Sequence, residues 1–139
     1  LTDGPKILLT PTYHVFHMYK YHQDAELVES YIDGAGKIGT DADYMVPNLQ
    51  ESVSVDRDGV VTVTLNNLSV TDREEMEIVF TELHPSEVTA AIVTGRMDAY
   101  NTFEAPDQVR EAEFQDFRIT DRGVAFTIPA CSVVQFRIK

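Results

Sequence analysis

Apolar and polar residues alternate through most of the chain after residue 51, and this period of two constrains the fold more than any other feature. The segments that share it are 53–55, 61–65, 76–80, 88–92, 124–128 and 134–138. Successive side chains of a β-strand point to opposite faces, so this alternation is typical of strands with one buried face. Short strands of this kind, separated by turn signals, predict an all-β antiparallel sandwich.

Two of the turns between these segments have a recognisable composition. Asp56–Gly59 separates the segments at 53–55 and 61–65, and Asp121–Gly123 separates residues 117–119 from residues 124–128. In the first of these turns, Asp58-Gly59 supplies the positive φ angles that a tight connection between twisted strands requires. We therefore predict two hairpins. The strong alternation of residues 134–138 predicts a central strand, with Gln135 and Arg137 on the outside.

One segment near the start of the chain has a helical period instead. Thr10 is a good N-cap residue, and Pro11 suits the first helical position. Apolar and aromatic residues then follow at helical spacing: Tyr13, Val15, Phe16, Met18, Tyr19 and His22. So broad an apolar surface on a short helix needs a larger packing surface than a small sandwich provides. We interpret residues 8–24 as the last helix of a larger domain.

The helix and three later segments resemble the family 51 α-L-arabinofuranosidases. Thr10–Lys20 is similar to the helix that joins the catalytic barrel to the C-terminal sandwich, and Asn101–Val109 is similar to a late loop of that sandwich. Val46–Leu49 and Ala130–Val134 also fit, in the family's order. The resemblance implies a jelly-roll-like β-sandwich over residues 25–139. Residues 1–24 would then hold one α-helix left over from a (β/α)8 barrel.

The resemblance also implies what the parent protein does. Such a parent is a cytoplasmic retaining glycoside hydrolase that removes terminal arabinofuranosyl groups from arabinan or arabinoxylan oligosaccharides, with no metal or organic cofactor. Both catalytic glutamates of those enzymes come from barrel strands that precede this segment, and no position here matches them. We therefore predict no catalytic, cofactor-binding or metal-binding residue in this piece, and no activity from it alone.

The partners that the resemblance implies follow from the same comparison. The parent barrel would pack on the helix of residues 10–24, which leaves the sandwich a structural or accessory role. The family's sandwich also recruits residues from the parent's N-terminus, so one sheet edge is expected to be open in this piece. An open edge invites pairing with another copy, which makes a homo-oligomer a further expectation.

Charge argues against two classes of partner. The chain of 139 residues has 11 basic and 23 acidic residues, which gives a net charge of −12. Residues 1–24 sum to zero, so the sandwich carries the whole excess. Such a surface repels phosphate backbones and anionic lipids, so neither nucleic acid nor membrane is an expected partner.

Several histidines and glutamates are candidates for metal binding or catalysis. His14 and His17 stand at i and i+3 on the helix, but a zinc site needs further ligands and His84 stands alone. Retaining glycosidases need two close carboxyl groups in a cleft, whereas the glutamates here are predicted to form a solvated face. Glu104 is the acid with the most ordered surroundings. The glutamate groups are 74/75/77, 82/87 and 111/113.

Two further features are interpreted as structural. The only cysteine, Cys131, lies in an apolar run and is expected to be an inert thiol. The glycines of residues 33–39 indicate a turn-rich connector and not a phosphate loop.

The alternative function is that of a carbohydrate-binding β-sandwich module. In that case Tyr44 and Tyr100 would form a platform on which sugar rings stack, although the chain has no Trp.

Overall fold

The computed structural model describes residues 1–40 and 44–139, which form one α-helix, one 3₁₀ turn and thirteen β-strands. Helix α1 spans Pro11–Tyr19, and the 3₁₀ turn spans Lys20–His22. Residues 41–43 lie outside the described residues. The strands are β1 (Thr2–Asp3), β2 (Lys6–Ile7), β3 (Glu26–Leu27), β4 (Lys37–Ile38), β5 (Val46–Pro47), β6 (Leu49–Val55), β7 (Val61–Asn67), β8 (Glu74–Val79), β9 (Val88–Thr94), β10 (Ala112–Glu113), β11 (Phe117–Thr120), β12 (Gly123–Ile128) and β13 (Ser132–Ile138).

The long strands form two sheets in which every neighbouring pair is antiparallel. One sheet has six strands in the order β10-β9-β13-β7-β6-β3, and the other has three in the order β11-β12-β8. Strand β13 lies between β7 and β9, so the prediction that it is central is confirmed. The two sheets bury one shared apolar cluster between them. The predicted all-β antiparallel sandwich is therefore confirmed.

Aromatic side chains hold the two sheets together at the centre of the core. Phe126 of β12 contacts Phe136 of β13 with ring centroids 4.6 Å apart. Phe114 and Phe117 pack edge-on against Phe136, which is completely buried. Large aromatic rings bury much apolar area, so this cluster fixes the face-to-face packing.

Both predicted hairpins are present. Strands β6 and β7 pair over their whole length, and β11 pairs with β12 across a two-residue turn at 121–122. In the first turn, Asp56 Oδ1 accepts hydrogen bonds from the backbone N–H groups of Asp58 and Val60, each at 2.9 Å. Gly59 has a φ of 79°, the left-handed conformation that favours glycine.

Gly123, the first residue of β12, permits close contact with β8. A Cβ atom at this position would lie 1.7 Å from the backbone oxygen of Ile78. Because that neighbour is backbone and cannot rotate away, only glycine fits without separating the two strands.

Helix α1 begins as predicted and ends earlier than predicted. Thr10 is extended, and its Oγ1 accepts a hydrogen bond from the N–H of Tyr13 at 3.2 Å, while Pro11 is the first helical residue. The expected helix over residues 8–24 is too long: the α-helix ends at Tyr19 and the chain tightens into the 3₁₀ turn. Asp24 then has a φ of 57°, which a continuing right-handed helix does not allow.

Candidate functional site

Helix α1 covers the outer face of the six-stranded sheet, the face turned away from the core. Met18 is fully buried there in a cluster with Val93 of β9 and Val109 of the following loop. Thr64 of β7 and Gln135 of β13 lie opposite each other on this face and are also buried, at 0% and 3% exposure. The prediction that Gln135 lies outside was wrong, because the helix and the 3₁₀ turn exclude water from this face.

Hydrogen bonds connect the helix to the sheet through four polar side chains, Ser54, Thr64, Gln135 and His22, which we call the polar seam. Gln135 Nε2 donates to the backbone oxygen of Met18 and to Thr64 Oγ1, both at 2.8 Å. The ring of His22 lies between two hydroxyls, with Nε2 2.8 Å from Thr64 Oγ1 and Nδ1 2.7 Å from Ser54 Oγ. The seam therefore pairs the buried Thr64 hydroxyl and the Gln135 amide nitrogen with hydrogen-bond partners.

Burial lowers the pKa of His22 below its ordinary value of 6.5. The physical cause is the loss of hydration, which disfavours the charged ring. Both ring nitrogens are bonded to hydroxyls, and a hydroxyl can donate to or accept from a neutral imidazole. The seam is therefore built for an uncharged His22.

A cation–π contact continues the interface beyond the seam. The guanidinium of Arg137 lies over the ring of Tyr21, 4.2 Å from its centroid, and Nη2 is 3.2 Å from Asp56 Oδ2. Arg137 was predicted outside, and it is half-buried between these two groups. The 3₁₀ turn is thus tied to the hairpin that Asp56 closes.

The opposite face of helix α1 exposes large aromatic side chains. Phe16 is 74% exposed and Tyr13 is 47% exposed. Residues 13 and 16 stand three apart and therefore share one side of a helix, whereas Met18 points to the other side. One face of the helix therefore packs on the sheet, and the face with Tyr13 and Phe16 is exposed in the part of the chain that the structure describes.

The loop that carried part of the family resemblance locks the start of this helix in place. The side chain of Asn101 donates to the backbone oxygens of Leu9 (2.9 Å) and Val109 (2.7 Å), and accepts from the N–H of Val109 at 2.8 Å. Asn101 therefore joins the helix entry to the base of its own loop. Glu104, the candidate acid of that loop, is exposed to solvent.

The helix histidines have structural surroundings. His17 Nδ1 is 2.6 Å from Glu111 Oε2, so this contact ties the helix to the chain before β10. His14 Nε2 is buried without a hydrogen-bond partner among the described residues. His84 bonds a backbone oxygen far along the chain. No group of three or more potential metal ligands of the His, Cys, Asp or Glu type occurs in residues 1–40 and 44–139.

The glutamates of the three-stranded sheet line an open depression on its outer face. Glu75 and Glu77 are exposed there beside Arg118. Glu74 differs because it is half-buried and its Oε1 accepts a hydrogen bond from Asn48 Nδ2 at 3.0 Å. These carboxylates lie on a wide, solvated surface and not in the cleft where a glycosidase holds its two catalytic carboxyl groups.

The remaining candidates lie near the ends of the six-stranded sheet. Tyr44 lies between β4 and β5 and is 78% exposed, whereas Tyr100 lies between β9 and β10 and is 67% exposed. The two side chains therefore belong to separate loops. Cys131 is half-buried and lines an apolar groove between helix α1 and β9, together with Val15 and Met97.

Nearly the whole chain matches one known protein family. The sequence profile described as "Alpha-L-arabinofuranosidase C-terminal domain" matches residues 1–132. The chain belongs to this family. The resemblance drawn from the helix and the three later segments is therefore confirmed.

One curated relative is an intracellular exo-alpha-L-arabinofuranosidase from Bacteroides ovatus. It is 30% identical over 140 residues, which cover 100% of this chain and 27% of that protein. The chain thus spans about a quarter of the relative's length. A C-terminal domain of an α-L-arabinofuranosidase is what this coverage and the family match describe.

Solved structures show the same fold. The GH51 arabinofuranosidase from Xanthomonas axonopodis pv. citri superposes with a TM-score of 0.91 at 31% identity, over 100% of this chain and 28% of that one. The thermostable GH51 alpha-L-arabinofuranosidase from Thermotoga petrophila superposes with a TM-score of 0.82 at 21% identity, over 99% of this chain and 31% of that one. In the described part of our chain, no helix is long and apolar enough to cross a membrane.

Proposed function

We propose that this domain is the non-catalytic flank of an enzyme that hydrolyses terminal α-L-arabinofuranosyl groups of arabinan or arabinoxylan oligosaccharides with retention of configuration. Two carboxylates of the parent's catalytic barrel would act as nucleophile and acid/base. Family membership supports the reaction class, and the solvated setting of the glutamates in this domain supports the absence of a catalytic pair from it.

The two-faced helix is the observation that carries the structural role. Met18 is fully buried against the sandwich, while Phe16 and Tyr13 expose aromatic surface on the other side. Contiguous exposed aromatic surface of this kind is typical of an interface. We propose that residues 1–24 are the terminal segment of the parent barrel, that residues 25–139 are the accessory sandwich, and that the barrel covers Phe16.

Activity of the separated domain tests the first part. The domain alone should not hydrolyse a p-nitrophenyl arabinofuranoside, whereas the whole parent enzyme should, with retention of the anomeric configuration. Turnover by the domain would refute the assignment. Calorimetry with arabinan tests the alternative of a carbohydrate-binding module: we expect no heat of binding, and a signal lost on Tyr100→Ala would favour that module instead.

Phe16 tests the second part, with Val79 as its matched control. Val79 is 56% exposed on the edge strand β8, away from helix α1. Both Phe16→Ser and Val79→Ser should leave the stability of the domain alone within about 0.5 kcal/mol, as surface substitutions usually do. In the whole parent, Phe16→Ser should lower the Tm and Val79→Ser should not. Equal responses in the parent would show that the barrel does not cover Phe16.

Two further proposals concern location and self-association. The relative named intracellular supports a cytoplasmic parent, which cell fractionation would test.

Strand β8 is an edge of the three-stranded sheet in the described residues and can pair with a second copy. Because Glu75 and Glu77 on this edge repel an identical strand, neutralising both with glutamine should strengthen self-association in sedimentation velocity. An unchanged monomer would remove β8 as the contact.

A further inference from the structure

We infer that His22 is a pH-sensitive latch, which holds helix α1 and the 3₁₀ turn on the six-stranded sheet while its ring is neutral and releases them when the ring gains a proton. This inference concerns the junction between helix and sandwich, and it does not depend on the proposed activity of the parent.

The direction of each hydrogen bond in the polar seam follows from one fixed donor. The side-chain nitrogen of Gln135 faces the backbone oxygen of Met18, which can only accept, so this nitrogen must donate there and to Thr64 Oγ1. Thr64 Oγ1 therefore accepts from Gln135 and keeps its own proton to donate. The atom that receives this proton is His22 Nε2, 2.8 Å away.

A neutral His22 gives both of its ring nitrogens a compatible partner. With Nε2 accepting from Thr64, the ring proton sits on Nδ1 and is donated to Ser54 Oγ at 2.7 Å. Each ring nitrogen and each hydroxyl oxygen then has a compatible partner. The structure thus assigns the Nδ1–H tautomer to His22.

A second proton on the ring breaks the pattern. An imidazolium donates from both nitrogens, so Thr64 Oγ1 would face two donors and its own proton would lose its acceptor. Thr64 is 0% exposed, so water cannot replace that acceptor while the helix is docked. The conflict is relieved when the 3₁₀ turn moves off the sheet and both groups meet solvent.

The charges around the seam do not compensate a positive ring. Arg137 of β13 and Lys20 of the 3₁₀ turn are cations, and Asp56 after β6 is already paired with Arg137. Among the described residues, no carboxylate forms an ion pair with His22. The seam positions of β6 and β7 are hydroxyl side chains. The other titratable groups on the neighbouring elements form no hydrogen bond with His22 in the described residues; they are Tyr13, His14, His17, Tyr19, Tyr21, Glu26 and Glu51.

His17 of helix α1, unlike His22, has charged partners, and a proton on its ring would affect them in opposite ways. A positive His17 would strengthen its contact with Glu111 at 2.6 Å, but its Nε2 could no longer accept the hydrogen bond that Lys20 Nζ donates at 2.8 Å. Variants must therefore separate His17 from His22. His84, which bonds a backbone oxygen away from the helix, serves as a control that leaves the junction intact.

Amide hydrogen exchange of the whole domain, corrected for the intrinsic rate at each pH, tests the latch. Between about pH 7.5 and about pH 5.0, the protection of residues 18–23 should fall at least about tenfold relative to β13, the effect expected of one orphaned buried hydroxyl. In His22→Gln, which is neutral at both pH values, the ratio of the two protections should not change. The variants His84→Gln and His17→Gln should keep the wild-type fall. If either control loses the fall, or if His22→Gln retains it, the inference is wrong.

A measurement on the wild-type domain decides the matter even if His22→Gln does not fold. Nitrogen-detected imidazole NMR should show His22 as the Nδ1–H tautomer at about pH 7.5, and its protonation should coincide with the loss of protection in residues 18–23. The Nε2–H tautomer at neutral pH would overturn the inference. Unchanged protection of residues 18–23 after protonation of His22 would overturn it as well.

Discussion

Substitution of Met18 by alanine measures how firmly helix α1 is docked on the sandwich. The side chain is completely buried in a cluster with Val93 and Val109, and alanine leaves a cavity in place of three heavy atoms. Such a change costs about 2–5 kcal/mol of unfolding free energy. For a domain of this size, that loss corresponds to a fall in Tm of roughly 6–15 °C. Urea denaturation followed by circular dichroism should show a lower midpoint with an unchanged slope.

Phe16→Ala is the matched control, since it shortens a large side chain two residues away on the same helix. Phe16 is 74% exposed, so its loss should change the unfolding free energy of the domain by no more than about 0.5 kcal/mol. Both variants gain the same helix-favouring residue, so the difference between them reports docking alone. If Met18→Ala costs no more than Phe16→Ala, the helix does not pack on the sheet in solution.

Three further outcomes follow from single positions. Gly123→Ala places a Cβ against the backbone oxygen of Ile78 and should cost about 3 kcal/mol or more, with loss of amide protection in β8; normal protection there would contradict the close approach. Asp56→Ala removes the acceptor for two turn amides and the partner of Arg137, and should cost about 1–3 kcal/mol in urea denaturation; no loss would mean that the turn holds itself. Burial lowers the pKa of His22, so the folded state binds fewer protons than the unfolded state below pH 6.5, and the stabilisation that is present above that pH should be lost as the pH falls through the lowered value. The same titration of His22→Gln should lack this component, and identical pH profiles for the two proteins would refute it.

The strands of the sandwich were predictable because their signals are local. Alternation of apolar residues fixes which side of a strand is buried, and the Asp-Gly turns fix the pairing of neighbours. The start of helix α1 was equally local, since Thr10 and Pro11 act within one turn. Local patterns therefore gave the fold class, both hairpins and the central place of β13.

The junction between helix and sheet was not predictable in the same way. The polar residues Thr64 and Gln135 stand where alternation indicates a solvent-facing side, and nothing nearby in the sequence shows that a helix more than 40 residues away covers Thr64. The available signal was a glutamine between the apolar residues Val134 and Phe136, since an amide with two donors suits a buried helix carbonyl. Asn101 was missed for a similar reason, because its partner Leu9 lies 92 residues earlier.

The central position of β13 has a consequence for how the domain is made. Its seven residues follow the other described strands in sequence, yet they supply the hydrogen-bond partners of both β7 and β9 and three fully buried core side chains. A ribosome delivers β7 and β9 long before the strand that joins them, so the facing edges of β7 and β9 stay unpaired until β13 is made. These two strands can join only after β13 has left the ribosome, which gives the folding of the six-stranded sheet a late, non-local step.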